Sequence, residues 1–330
     1  MSQSYRLKKP TDEPLHPLFV HMLEQVTELV QERIPRIIAP TPDQNALDFL
    51  TKATARGLAV PVIVGPKEVM TSNWSQSWES FDNEKSDENG LPEILDAKNH
   101  QEIVQRVSQT IRTRQVDILL RSDFDDTELS EMVGMEKGKV LCHAAVVALP
   151  KRHRFLTISD GGWNLLPDLH QTVGIIHNCV ELLTAIGISA PKIAVLSAVE
   201  EIDPSMPRTV EAASMSQMSR RGIFYPARVD GPLRFDHSIA LPLGHEPSFS
   251  SAVAGEADAV IAGSIEEANI LAKSLIYFGK GEFGGVILGG TIPIIYPSWQ
   301  KSGNNPLLSL LIAILVWNSV VTGSKEGIDA

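Results

Sequence analysis

Apolar positions in this chain switch between two periods, and the switching runs almost from end to end. Over residues 19–29 they recur every three to four positions, the spacing of one buried helix face. A short apolar run at 34–39 reads as a strand. The helix predicted over 43–56 has Asp43 where an N-cap belongs and Gly57 at its stop. Residues 60–64 read as a strand, 100–114 as a helix, and 116–121 as a mainly apolar strand ending on a charge, followed by a short acidic helix. Strands are also predicted over 140–148 and 155–158. The second half repeats the alternation, with helices over 169–186, 210–220 and 266–278 and strands over 192–199 and 258–262. A strand pair over 283–296 is broken at Gly289-Gly290, and a last apolar helix spans 306–321 with a proline at its start. Between 71 and 90 the periodicity fails: Ser, Asn, Asp and Glu crowd around Trp74 and Trp78, and the stretch reads as a surface loop. Residues 1–14 read as a flexible tail.

Strands that are apolar at nearly every position, separated by helices, are covered on both faces. The expected fold is therefore α/β with mostly parallel sheets. At 330 residues the chain exceeds the usual size of one domain, so two lobes are expected.

Composition narrows the function classes. Lys plus Arg number 29 against 40 for Asp plus Glu, a formal charge of -11, which argues against a nucleic-acid binder needing a basic face. A phosphorylated metabolite stays compatible, because a few local cations and N–H groups suffice to hold one. Cys142 and Cys179 are the only cysteines, with no CxxC, so neither zinc nor a disulfide framework is expected and a reducing, cytoplasmic setting fits. The start of the chain lacks the apolar run of a signal peptide. The longest apolar stretch, 307–317, is about half of a roughly 20-residue membrane span and reads as a buried helix of a soluble protein.

In parallel sheets ligands bind beyond the carboxyl ends of strands. Several chemically suggestive groups fall there: Arg121-Ser122, Asp160-Gly161-Gly162, Ser197 to Glu200, Asp230-Gly231-Pro232, Gly289-Gly290-Thr291 and Ser298. None matches GxGxxG after the first strand, a P-loop, GxSxG or HExxH. Asp160-Gly161-Gly162 reads equally as a tight turn or as a place where backbone approaches a phosphate. Asp230 and Asp236, near Arg228 and Arg234, are either ligands or a surface ion-pair group, and Gly289-Gly290 reads equally as a bend in a sheet.

Taken in order, the segments VDILLRS (116–122), FLTISDGGWN (155–164), PKIAVLSAVEEIDPSMP (191–207), ARVDGPLRFDHSIA (227–240), SAVAGEADAVIAG (251–263) and ANILAKSLIYF (268–278) resemble the phosphate acetyl/butyryltransferase family, its butyryltransferase branch in particular. The resemblance runs from about residue 34 to the end and is strongest over 160–298. It implies a two-lobed fold like that of isocitrate and isopropylmalate dehydrogenases. The first lobe would comprise 1–148 plus 300–330, and the second, with most of the motifs, 149–299. It also implies reversible transfer of a short acyl group between CoA and inorganic phosphate, with CoA as substrate, no metal or redox cofactor, no nucleic-acid or membrane partner, and a homodimer.

Carried over by position, Ser298 matches the family's active-site serine, expected to hydrogen-bond the acyl phosphate or oxyanion. Arg121, Asp160, Gly161, Gly162, Ser197, Asp230, Gly231, Asp236, Asn269, Lys273 and Gly289 match its substrate- and CoA-binding positions, Arg121 standing where the family has lysine. Four further positions depart from the pattern. Trp299 replaces an arginine that neutralises the transition state, Asn305 stands at a proposed base position, and Glu267-Ala268 precede Asn269 where a glycine is usual. An alternative follows from the first two: an impaired relative that binds CoA or acyl phosphate without efficient turnover.

Overall fold

The computed structural model describes residues 15–80, 92–135, 139–240, 251–297 and 304–326. Its strands in chain order are β1 (Arg36–Pro40), β2 (Val60–Gly65), β3 (Glu93–Asp96), β4 (Ile118–Leu120), β5 (Cys142–Ala148), β6 (Leu156–Ser159), β7 (Lys192–Leu196), β8 (Arg228–Leu233), β9 (Ala259–Ile261), β10 (Glu282–Leu288) and β11 (Ile294–Ile295). The helices are α1 (Pro17–Glu32), α2 (Gln44–Ala55), α3 (Lys67–Ser80), α4 (His100–Arg112), α5 (Asp126–Val133), α6 (Leu169–Ala185), α7 (Pro207–Arg220), α8 (Phe235–Ile239), α9 (Ile265–Tyr277) and α10 (Asn305–Glu326).

The chain packs as two units. One holds Met1–Gly134, Gly284–Val286 and Gly290–Trp317; the other holds Met135–Phe283, Ile287–Gly289 and Asn318–Ala330. The divide near Gly134 lies earlier than the boundary at 148 drawn from the sequence. β5 goes with the second unit because it pairs antiparallel with β6, Ala144 opposite Ser159 and Val147 opposite Leu156.

In the first unit the strand order is β3-β2-β1-β4-β11, every pair parallel. Ile37, Ile38, Val62, Ile63, Ile118, Leu119 and Ile294 are fully buried, as strands covered on both faces require. Local signals start the helices, at Asp43 as the sequence suggests and on α5 by a cap the sequence reading did not name. The Asp43 carboxylate accepts from the Ala46 N–H at 2.8 Å, and Asp125 and Glu128 form a reciprocal capping box on α5. α1 buries Phe19, Met22, Val26 and Val30, one side of its cylinder.

The stretch read as a loop over 71–90 is corrected by α3, which runs through residue 80; residues 81–91 lie outside the described ones. Trp74 is 1% exposed and stacks on Trp78, a helical turn away, at 5.8 Å between ring centres. Ser77 accepts from Gln44 Nε2 at 2.6 Å and donates to Asp48 at 3.0 Å, so α3 is tied to α2 by polar residues that local propensity counts as loop formers.

α10 is long and apolar enough over Asn305–Thr322 to cross a membrane by length and composition, yet Leu310, Leu311, Ile312, Ala313 and Ile314 are all fully buried inside the protein. Ser309, the polar interruption in that helix, is satisfied: its hydroxyl accepts from the Gly285 N–H and donates to the Asn305 carbonyl, both at 2.9 Å. Further along, Trp317 Nε1 donates at 3.0 Å to buried Asp117, which also accepts from Arg33 Nη2 at 2.6 Å and the Arg36 N–H at 2.9 Å.

In the second unit the order is β5-β6-β9-β7-β8, parallel except for β5 with β6. α6 starts on a second reciprocal capping box, Asp168 with Gln171. β8 lies at the edge of this group, and that location explains a feature the sequence disguises. Asp230-Gly231-Pro232, read as a loop beyond a strand, lies inside β8. Proline supplies no N–H, which an edge strand tolerates. Gly231 lets β8 come close to β7, since a Cβ there would stand 2.7 Å from the Val195 carbonyl oxygen.

Candidate active site

The most fully built polar group in the second unit lies at the carboxyl end of β6. Asp160 is 2% exposed, and its carboxylate accepts five hydrogen bonds. Four come from backbone: Gly162, Trp163 and Asn164, each at 3.0 Å, and His143 on β5 at 3.1 Å. The fifth is from Asn164 Nδ2 at 2.6 Å. Burial pushes the Asp160 pKa up, and the donors from Gly162, Asn164 and His143 pull against it. With its oxygens engaged, Asp160 organises the turn that follows it.

That turn is held from two sides. A Cβ on Gly162 would meet the His143 ring at 3.1 Å, and one on Gly161 would meet Ala268 Cβ and the Asn269 nitrogen at 3.5 Å. Asn269 Nδ2 donates to the Gly161 carbonyl at 3.1 Å. Asp160, Gly161, Gly162 and Asn269 are therefore brought together, and Lys273 stands exposed four residues beyond Asn269 on the same side of α9. Glu267 lies at the start of this helix, where its carboxylate accepts from the Gly263 N–H at 2.8 Å.

The remaining second-unit candidates disperse. Ser197 follows β7; its N–H donates to Leu233 O at 2.9 Å, while its hydroxyl oxygen is buried without a partner. Asp230 accepts from Ser216 Oγ at 2.6 Å and the Gly231 N–H at 2.9 Å, beside a cavity of about 220 Å³ that Arg220 and Arg228 also line. Asp236 is exposed and paired with Arg234 at 2.6 Å, a bond that holds its pKa below the usual carboxylate range. Gly289 has φ +91°, and a Cβ there would sit 2.2 Å from the Val140 carbonyl oxygen. Its role in the fold is close backbone packing.

In the first unit, Arg121 follows β4 and donates its N–H to Ile295 O at 3.0 Å. Its guanidinium lies over the Tyr296 ring, 4.3 Å from the centre, and reaches Asp126 at 3.3 Å. Arg121 Nη1 and Ser122 Oγ are buried without a hydrogen-bond partner. Ser298 and Trp299 lie outside the described residues. Asn305 is buried at the start of α10.

Several residues of these groups escaped the sequence reading. His143 and Asn164 complete the Asp160 turn, and Tyr296 carries Arg121. Arg208, in the first turn of α7, donates to the carbonyls of Leu196, Ile261 and Ala262 at 3.0–3.4 Å and ties the ends of β7 and β9. Burial lowers its pKa while Glu211 supports the charge. His237 pairs at 2.9 Å with Glu200, which the sequence reading had included among the strand-end groups, and both are nearly buried. Only an arginine just inside a helix start, where a cation is disfavoured, hinted at any of these. The two cysteines are fully buried, which raises both thiol pKa values, that of Cys179 to about 12, so neither is a ready nucleophile.

Comparison with known proteins places this arrangement. A family model described as phosphate acetyl/butaryl transferase matches residues 127–304, more than half of the chain. A phosphate acetyltransferase of Thermotoga maritima is 29% identical over 297 residues, covering 88% of this chain and 98% of that protein. A phosphate butyryltransferase of Clostridium acetobutylicum is 30% identical over 284 residues, 84% of this chain and 92% of the relative. Among solved structures, a branched-chain phosphotransacylase from Enterococcus faecalis aligns with a TM-score of 0.69 at 25% identity, covering 86% of this chain and 99% of that one. With the ordered motifs, the parallel sheets and these matches in agreement, the chain belongs to the phosphate acetyl/butyryl transferase family.

Proposed function

We propose that this protein is a phosphate acyltransferase, moving a short acyl group reversibly between CoA and inorganic phosphate. The observation that carries the reading is the family match over 127–304, which spans every motif from Asp160 to Ser298. A phosphate oxygen attacks the thioester carbonyl carbon, a C–O bond forms as the C–S bond breaks, and CoA leaves as a thiolate that takes a proton. Negative charge gathers on the carbonyl oxygen between these events, so donors aimed there lower the barrier.

In this reading Ser298 hydrogen-bonds that oxygen or the acyl phosphate, and Arg121 seats phosphate oxygens. The turn at Gly161-Gly162 leaves backbone open to the CoA chain, with Asn269, Lys273 and Ser197 contributing polar contacts. Asp160 and Gly289 act by positioning, since the one is saturated with internal donors and the other is packed against Val140. Asp230, Gly231 and Asp236 belong to the same region of sequence, and Arg208 keeps the neighbouring strand ends in register. CoA serves as substrate with no further cofactor; the assembly is a homodimer in the cytoplasm.

The experiment is release of free CoA from acetyl-CoA and from butyryl-CoA in the presence of phosphate. Ser298→Ala is expected to lower kcat by about 100-fold, the effect of removing an oxyanion donor, with the unfolding midpoint unchanged. Turnover equal to the parent would remove Ser298 from the site. No phosphate-dependent CoA release by the parent with either substrate would end the proposal.

A further inference from the structure

The chain puts an uncharged tryptophan directly after Ser298, yet the reaction proposed above joins two anions and concentrates negative charge. Several arginines elsewhere in the described structure are committed, while Arg220 and Arg228 line the cavity beside Asp230. Arg33 is bound to Asp117, Arg208 to three carbonyls and Glu211, and Arg234 to Asp236. Arg36 and Arg152 each leave Nε without a partner, but their outer nitrogens are engaged, by Glu93 in the one and by the Ile239 and Ala257 carbonyls in the other. Arg121 is different: the nitrogen it leaves unpartnered is an outer one, Nη1, part of the fork that meets an oxyanion.

Its ion-pair partner among the described residues is weakly placed. Asp126 is half exposed and 3.3 Å from Nη2, a geometry that contributes little and yields readily to a better anion. Ser122, the next residue, holds a second buried and unpartnered polar atom, its hydroxyl oxygen. Buried polar groups without partners are costly and rare, so two adjacent ones at a strand end point to a ligand oxygen that completes them. The guanidinium is also fixed in orientation. β4 and β11 are parallel, with Leu120 opposite Ile295, which brings Arg121 and Tyr296 side by side as the next residues; the ring of Tyr296 then lies flat beneath the charge at 4.3 Å. The Tyr296 N–H is itself anchored on Gly285 O at 3.0 Å. Ser298 follows Tyr296 by two positions along the chain.

We infer that Arg121, oriented by Tyr296 and assisted by Ser122, is the catalytic residue that neutralises the negative charge developing during acyl transfer, a part for which position 299 supplies no cation. The inference rests on the acyltransferase reading. The guanidinium exchanges no proton and forms no bond. Its contribution is electrostatic, while the electron pair of the broken C–S bond leaves on sulfur and the thiolate is protonated from solvent.

The test is steady-state kinetics of the full chain with butyryl-CoA and phosphate, with circular dichroism to check folding. Arg121→Gln is expected to lower kcat by about 100-fold or more while KM for butyryl-CoA stays within about 3-fold, because the charge acts chiefly in the transition state. Arg121→Lys keeps the charge but loses the fork, and should fall between the two. Tyr296→Leu is expected to lower kcat by about 10-fold, and Tyr296→Phe, which keeps the ring face, to restore it. Adding Trp299→Arg to Arg121→Gln should regain at least about 10-fold if the two positions serve the same charge. Should Arg121→Gln fail to fold, the Tyr296 pair and Arg121→Lys carry the test. An active parent whose Arg121→Gln form has unchanged kcat, or only a raised KM for phosphate, overturns the inference and leaves the acyltransferase reading standing. A parent inactive with phosphate and either acyl-CoA overturns both.

Discussion

Two charged residues stand just beyond parallel strands, Asp160 after β6 and Arg121 after β4, and their surroundings are opposite. Asp160 is buried with five donors on its two oxygens, four of them backbone N–H groups of its own turn and of β5. Arg121 keeps an outer nitrogen unpaired, rests on an aromatic face and touches one half-exposed carboxylate. A charge that is already fully answered inside the protein shapes the backbone; a charge left partly unanswered is available to a ligand. Position at a strand end is therefore a necessary clue to a binding role and an insufficient one.

The contrast breaks most visibly at Asp160. Replacing it with alanine leaves at least four backbone N–H groups without an acceptor, and a loss of about 3–5 kcal/mol is expected, read as a lower denaturant midpoint. Unchanged stability would mean that those donors find other partners and that Asp160 is free for substrate. Next in size is Gly289→Ala. With φ at +91° and a carbonyl oxygen 2.2 Å from the new Cβ, the backbone must shift, and about 2–3 kcal/mol should be lost. The smallest effect belongs to Arg121→Gln, whose stability should stay within about 1 kcal/mol of the parent while its turnover collapses. A large stability loss there would make Arg121 structural and erase the difference from Asp160.

How much of this was legible depended on the range of the interactions. α2 and α4 were readable because their buried stripes, and for α2 the Asp43 cap, lie within a few residues of one another. α3 was not, since its apolar content is small and Ser77 is tied down by Gln44 and Asp48 on another helix. Asp230-Gly231-Pro232 looked like a loop because all three residues favour turns; only the edge placement of β8 makes them acceptable inside a strand. The glycines after Asp160 left a turn and an approach to phosphate equally open; what the structure adds is that Gly162 packs tightly against the His143 ring, a neighbour from another strand.

The sequence alone determined the alternation of helices and strands, the Asp43 cap of α2, the burial of the final apolar helix and the family to which the chain belongs. Each of these follows from residues close together, or from an ordered set of motifs that tolerates changes between them. The tertiary structure alone decided which strand-end charges are spent inside the protein and which are not. Asp160 takes four donors from its own turn and only the fifth, the His143 N–H, from another strand, whereas Arg121 rests on Tyr296, far away in the chain. Whether a buried charge is satisfied depends on what the fold carries to within about 3 Å of it, and local pattern has no reach at that scale.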